Sequence, residues 1–231
     1  MFKTFKKLYQ AKLASPRGLY RLIASVIRSK TNLMALLDFS ARTYPNEIAI
    51  VEGSRQISYK ELYQESLQLA AQLQKEHQLK AGQKVGLLCK NHIPFVQSLC
   101  ALSMLGVDVY LLNIAMNGDQ LEHLLEKHRF HTIIHDEEGA ILVRASSFDQ
   151  LQIHTHLPNG NSIVELAKMP IPANYTLKKS SAGKLIILTG GTTGNFKTAV
   201  RKPSLFTFLN PFFALLNQLN LGSYRSVSIL T

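Results

Sequence analysis

The chain has 231 residues, room for one good core or for one domain with an appendage, and its 46% hydrophobic and 18% charged content is that of a globular protein, which excludes a disordered or low-complexity class. Its two cysteines, Cys89 and Cys100, lie inside apolar runs; they give no disulfide framework and no zinc spacing, and they fit a reducing, cytoplasmic location. The formal charge of +11 suggests nucleic acid until its distribution is read: Lys3, Lys6, Lys7, Lys12, Arg17, Arg21, Arg28 and Lys30 all precede the first acid, Asp38, and without those eight, 18 basic residues face 15 acidic ones. The basicity is therefore local, and it lacks the interleaved aromatic platform of a single-strand binder, so nucleic acid is set aside as a partner.

Residues 1–30 form a separate basic segment, read as two short helices broken at Ser15-Pro16. Phe2, Phe5, Leu8, Tyr9 and Leu13 share one helical arc opposite Lys3, Lys6 and Lys7, and Leu19, Leu22, Ile23, Val26 and Ile27 repeat the pattern opposite Arg21 and Arg28. Such a segment suits either an anionic membrane surface, giving a peripheral membrane protein, or a helix docked by its apolar arc on its own domain; an Arg-rich, acid-poor targeting sequence carries less weight. It is no signal peptide, because the apolar run 22–27 is short and ends at Arg28.

From Asn32 onward, residues 31–231 read as one α/β domain. Strands at 47–51 and 56–58 flank the turn Glu52-Gly53-Ser54, and Ser58 with Glu61 makes a capping box for a helix whose apolar face includes Leu62, Leu69, Ala70 and Leu73. Gly82 turns the chain into a buried strand at 85–88; Asn91 starts a second helix, with Gly106 at its C-cap position. A strand at 107–112, a polar-faced helix at 118–127 and a strand at 132–135 follow. Strands separated by helices predict a doubly wound, mostly parallel sheet. The stretch 137–182 is less regular, with Ser146-Ser147, Pro158-Asn159-Gly160-Asn161 and Pro170-Ile171-Pro172 as punctuation. The run 99–116 is apolar but interrupted by Asp108 and Asn113, and strand-helix alternation explains it better than a membrane span. Beyond the next strand the pattern predicts an apolar helix from Ser204, kinked at Pro211, and a strand at 226–230.

The chemistry concentrates in Thr189-Gly190-Gly191-Thr192-Thr193-Gly194-Asn195-Phe196-Lys197, between Leu185-Ile186-Ile187-Leu188 and Ala199-Val200. Glycines let backbone N–H groups approach phosphate oxygens, threonine hydroxyls add donors or a metal ligand, and lysine adds a point charge. By residue type alone the stretch is either an anion-binding loop or a solvated Gly/Thr turn. It is not a Walker A loop, since Phe196 stands where that motif needs glycine before Lys197-Thr198. The histidines at 123, 128, 131, 135, 154 and 156 match no zinc spacing and are read as structural or surface residues; no nucleophile elbow is present.

The order strand, Thr-Gly-Gly-Thr-Thr-Gly-x-x-Lys, strand resembles the phosphate loop of the adenylate-forming enzymes, the superfamily of acyl-CoA synthetases, peptide-synthetase adenylation domains and luciferases. Further stretches resembling that superfamily stand ahead of it in order: Pro45-Asn46-Glu47-Ile48-Ala49-Ile50, Ile57-Ser58-Tyr59-Lys60-Glu61-Leu62, Gly82-Gln83-Lys84-Val85-Gly86-Leu87-Leu88 with Asn91, and Leu105-Gly106-Val107 leading to Leu112-Asn113. The resemblance implies an ATP-dependent, AMP-forming ligase that joins a carboxylic acid, fatty or otherwise hydrophobic, to coenzyme A. It implies ATP contacts from Thr189, Gly190, Gly191, Thr192, Thr193, Gly194 and Lys197, a catalytic role for Lys197 on the departing pyrophosphate, and Mg2+ ligation by Thr189. Phe196 replaces the superfamily's usual proline and Thr198 its usual glycine. The superfamily's later motifs would lie beyond Thr231, so the expectation is an N-terminal part of a longer enzyme, inactive alone, or else a non-catalytic remnant that binds nucleotide or membrane.

Overall fold

The computed structural model describes residues 15–157, 161–189 and 197–201. The predicted helix from Ser204 and strand at 226–230, and the first of the two N-terminal helices, lie outside them. Helix α1 (Pro16–Ser29) starts at Ser15, whose hydroxyl accepts from Gly18 N–H at 3.0 Å, and Pro16 sits in the first turn, where its missing N–H costs nothing. Helix α2 (Leu33–Thr43) is capped by Asn32. The hairpin β1 (Ile48–Glu52) and β2 (Arg55–Ser58) turns at Gly53, whose φ of 57° is costly for a side chain.

Helix α3 (Tyr59–Lys75) opens on the expected capping box: Glu61 N–H donates to the Ser58 hydroxyl, and Ser58 N–H donates to the Glu61 carboxylate at 2.9 Å. Its predicted face, Leu62, Leu69, Ala70 and Leu73, is buried. Strand β3 (Lys84–Leu88) then leads to helix α4 (Ile93–Leu105). The cap of α4 is His92 rather than Asn91: its Nδ1 accepts from Phe95 N–H at 3.0 Å, and Pro94 follows in the first turn. Gly106 closes α4 at φ 74°. Next come β4 (Asp108–Leu111), α5 (Gly118–His128) and β5 (Thr132–His135).

The stretch 137–182 is more regular than its sequence suggests. It contains α6 (Glu137–Arg144), β6 (Leu151–His154) and the single turn α7 (Ile163–Leu166) before β7 (Leu185–Thr189) and β8 (Lys197–Arg201). Strand β6 is short and sits at the sheet edge, so it needs no long apolar run to be recruited.

Among the described residues the main sheet runs β6-β5-β3-β4-β7-β8; five strands are parallel and β8 returns antiparallel to β7. Strand alternation splits the core in two. Val85, Leu87, Val109 and Ile134 face α2, α3 and α4, whereas Leu88, Tyr110, Ile133, Ile186 and Leu188 face α5 and α6. Helices therefore cover both faces, as the doubly wound reading requires.

Helix α1 docks on α2, and the docked side takes in only part of the predicted apolar arc: Leu22 and Val26 are half-buried. Gly18, Ser25 and Ser29 are buried, while Leu19, Ile23 and Ile27 are 53%, 52% and 73% exposed. Small residues let the two helices approach closely, and the larger apolar row is left facing outward. The run 99–116 is divided between α4 and β4, and among the described residues no helix is long and apolar enough to cross a membrane.

Candidate phosphate-binding site

A parallel sheet presents all its carboxyl ends at one edge, and a crevice opens there where neighbouring strands send their following helices to opposite faces. Here those neighbours are β3 and β4: α4 packs on one face and α5 on the other. The carboxyl edge is lined by the residues after Leu88 and Leu111 and by the ends of β5, β6 and β7. Strand β7 lies beside β4, with Ile187 in register with Leu111, so Thr189 ends β7 next to the crevice.

Antiparallel pairing then sets Lys197 opposite Thr189. The two residues are the feet of a seven-residue connection, 190–196, which lies outside the described residues together with the expected phosphate contacts of Gly190, Gly191, Thr192, Thr193 and Gly194. What the fold establishes is the placing of the feet: the Gly/Thr-rich sequence starts and ends in adjacent registers at the edge where such sheets take their ligands. No group of three or more histidine, cysteine, aspartate or glutamate side chains suited to a metal occurs among the described residues.

The other loops at this edge are braced. Asn113 accepts from Ala115 N–H at 2.9 Å, a local turn that shapes the β4–α5 connection. Asp136 receives Lys90 N–H at 2.8 Å and Gly139 N–H at 2.9 Å, which ties the β3–α4 connection to the start of α6. Lys90 also pairs with Glu138. Cys89, beside the crevice, is buried, and burial pushes its thiol well above the usual range; Cys100, inside α4, is pushed up to about 12. Neither thiol is a nucleophile near neutral pH.

A histidine cluster joins them that chain order does not reveal. Register places His135 beside His154, with ring centroids 5.2 Å apart, and His92 meets His156 edge to face at 5.0 Å. His154 Nε2 approaches Glu137 at 3.4 Å. Burial lowers the basicity of His92, and the neighbouring His156 lowers it further; burial does the same to His135. His123, His128 and His131, close to His135 in the chain, take no part in this cluster. Only the pairing of β6 could have exposed the true grouping.

With this geometry in place, comparison with known proteins is informative. The family model described as AMP-binding enzyme matches residues 37–203. A 2-succinylbenzoate–CoA ligase of Bacillus velezensis is 28% identical over 188 residues, which cover 79% of this chain and 35% of the relative. A medium/long-chain-fatty-acid–CoA/3-oxocholest-4-en-26-oate–CoA ligase of Mycobacterium marinum is 22% identical over 179 residues, covering 71% of this chain and 32% of the relative. The anthranilate CoA ligase AuaEII, solved in complex with anthranoyl-AMP, superposes with a TM-score of 0.63 at 19% identity over 73% of this chain and 34% of that one. The chain thus spans about a third of the length of the curated relatives it matches.

Proposed function

Since the chain belongs to the AMP-binding enzyme family, whose relatives here are adenylate-forming ligases, we propose that it is the phosphate-loop portion of an ATP-dependent, AMP-forming carboxylic acid–CoA ligase. The observation that carries this reading is the β7–β8 hairpin, which sets Thr189 opposite Lys197 around a Gly/Thr-rich connection at the carboxyl edge of the parallel sheet. In the reaction proposed, a substrate carboxylate oxygen attacks the α-phosphorus of ATP, the bond to the bridging oxygen breaks, and pyrophosphate leaves. The thiol of coenzyme A then displaces AMP from the acyl carbon.

Backbone N–H groups of residues 190–194 and the hydroxyls of Thr192 and Thr193 would hold the β- and γ-phosphates, and Lys197 would neutralise charge gathering on the departing pyrophosphate. Thr189 would offer a protein oxygen to a bound magnesium ion, which would supply neutralisation of phosphate charge. The acid is proposed to be a carboxylate with an apolar body. Relatives named for a fatty acid and for succinylbenzoate support that breadth and do not narrow it further.

Pyrophosphate exchange tests the role of Lys197. In the enzyme carrying the family's remaining motifs, Lys197→Ala is expected to remove about 2–4 kcal/mol of transition-state stabilisation, roughly thirty-fold to a thousand-fold in rate, with an unchanged melt. The chain alone should release no pyrophosphate from ATP and fatty acid above a blank, because a phosphate loop by itself cannot position adenine, metal and acid together. Unchanged exchange in Lys197→Ala would make the hairpin an ordinary turn.

The exposed apolar row of α1 favours a second reading for residues 1–30, attachment to an anionic membrane surface.

A further inference from the structure

A cleft of about 690 Å3 lies between α1, α2 and α3, far from the phosphate hairpin in sequence; Tyr20, Tyr63 and Gln64 line it with four cations, Arg21 and Arg28 from α1, Arg42 from α2 and Lys60 from α3. One carboxylate opposes them. Asp38, 1% exposed, divides its oxygens: Oδ2 accepts from Arg28 Nε at 3.3 Å and Oδ1 from Arg42 Nε at 2.7 Å. Each guanidinium is thereby fixed in direction, with further N–H groups left over, and the arginines remain 41% and 45% exposed. Arg21 and Lys60 have no ion-pair partner among the described residues. Four cations against one carboxylate, two of them oriented by single oxygens of that carboxylate, suit a phosphate.

The cleft wall also says where the phosphate comes from. On α1 the row Tyr20, Ala24, Arg28 lines the cleft, and Leu19, Ile23, Ile27 is the adjacent row, rotated by about 100°. A cationic cleft and an uncovered apolar row therefore run side by side along one helix, the arrangement that matches an amphiphile with an anionic head. We propose that this cleft receives the phosphate of an anionic phospholipid at a membrane surface, with Leu19, Ile23 and Ile27 turned toward the acyl chains. The proposal deepens the membrane reading and rests on it. Charge complementarity supports it: eight basic residues and no acid precede Asp38.

The test is co-sedimentation of the full chain with phosphatidylcholine vesicles, with and without phosphatidylglycerol, alongside titration with soluble glycerol phosphate. The double variant Arg21→Gln/Lys60→Gln spares the Asp38 pairs and should melt as the parent does. It should lose roughly thirty-fold in affinity for the anionic vesicles, the equivalent of about 1 kcal/mol per basic residue at such a surface. Lys127→Gln/Lys168→Gln removes the same charge elsewhere and should lose little. Ile23→Ser/Ile27→Ser should weaken vesicle binding as well.

Equal losses in the two charge pairs would overturn the cleft in favour of diffuse attraction, leaving membrane attachment intact. Vesicle binding lost only with Ile23→Ser/Ile27→Ser would do the same. Absence of vesicle binding by the parent chain would overturn both. Glycerol phosphate bound as tightly by the Ile23→Ser/Ile27→Ser variant as by the parent, without vesicle binding, would make this a site for a soluble phosphate and overturn the lipid.

Discussion

The β7–β8 hairpin and helix α1 are both basic, both recognisable in the sequence, and they differ in what decides their orientation. The hairpin is placed by backbone pairing: once Leu185 to Thr189 join a parallel sheet, their carboxyl ends face the ligand edge whatever the side chains are. Helix α1 is placed by side-chain packing, where an amphipathic pattern shows that two sides differ without saying which one meets the protein. The buried side is Gly18, Ser25 and Ser29 with half-buried Leu22 and Val26 beside them, while Leu19, Ile23 and Ile27 stay outside. Periodicity thus identifies an element; only its partner identifies its inner face.

Substitutions sharpen this contrast. The largest stability loss is expected at Gly183, just ahead of β7, where an added Cβ would collide with the Val107 carbonyl oxygen and the adjoining backbone. Backbone cannot rotate aside as a side chain can, so Gly183→Val should cost about 3 kcal/mol, read as a denaturant midpoint shift at constant slope. A mild effect would mean that the hairpin is not held by its approach to β4. Next in size is Ser25→Leu, which forces a large side chain into the α1–α2 contact from a fully buried position. It should cost about 1–3 kcal/mol, and a stabilising outcome would show the helix docked by a different side.

The histidines predict a smaller, pH-dependent effect. His92 and His135 are held below the ordinary histidine value, chiefly by burial, so they stay neutral in the fold at pH values where the unfolded chain takes up protons. Their contribution is then full above about pH 6.5 and is lost as pH falls through the depressed folded values. Melts in mildly acidic and neutral buffer should show this slope, and His135→Asn should flatten it; a slope independent of that substitution would place its origin elsewhere. The smallest effect is expected for Ile23→Ser, within about 0.5 kcal/mol, because that side chain is already half in water. A loss of 2 kcal/mol or more, which is about what removing a buried isoleucine costs, would return the apolar row to the docked side.

Much of the fold was legible because its signals are local. The Ser58–Glu61 box, Gly106 as a helix stop and the strand at 132–135 each need only a few neighbouring residues to be read. Gly82, at φ 84°, marks its turn in the same way. What escaped depends on partners distant in sequence. Strand β6 is four residues with only Leu151 and Ile153 apolar, and it exists because β5 offers an edge. The pairing of His135 with His154 inherits that dependence. At the candidate site the sequence identified the two feet, Thr189 and Lys197, while the contacts of 190–194 remain an inference from residue type and family.

The segment entering β7 is stitched to the joint between α1 and α2: Ala182 N–H donates to Thr31 at 2.9 Å, Asn32 donates to the Ser180 carbonyl at 2.8 Å, and Lys179 reaches the Arg28 carbonyl at 3.1 Å. Of the path from that stitch to Thr189, the four residue steps along β7 alone span about 13 Å at the usual strand rise. This span exceeds the distance over which physiological salt screens exposed charge, about 8 Å. A charge removed near the Asp38 carboxylate is therefore hardly felt at the hairpin. Arg21→Gln/Lys60→Gln should leave nucleotide affinity where it was, and the two basic features of this chain can be altered one at a time.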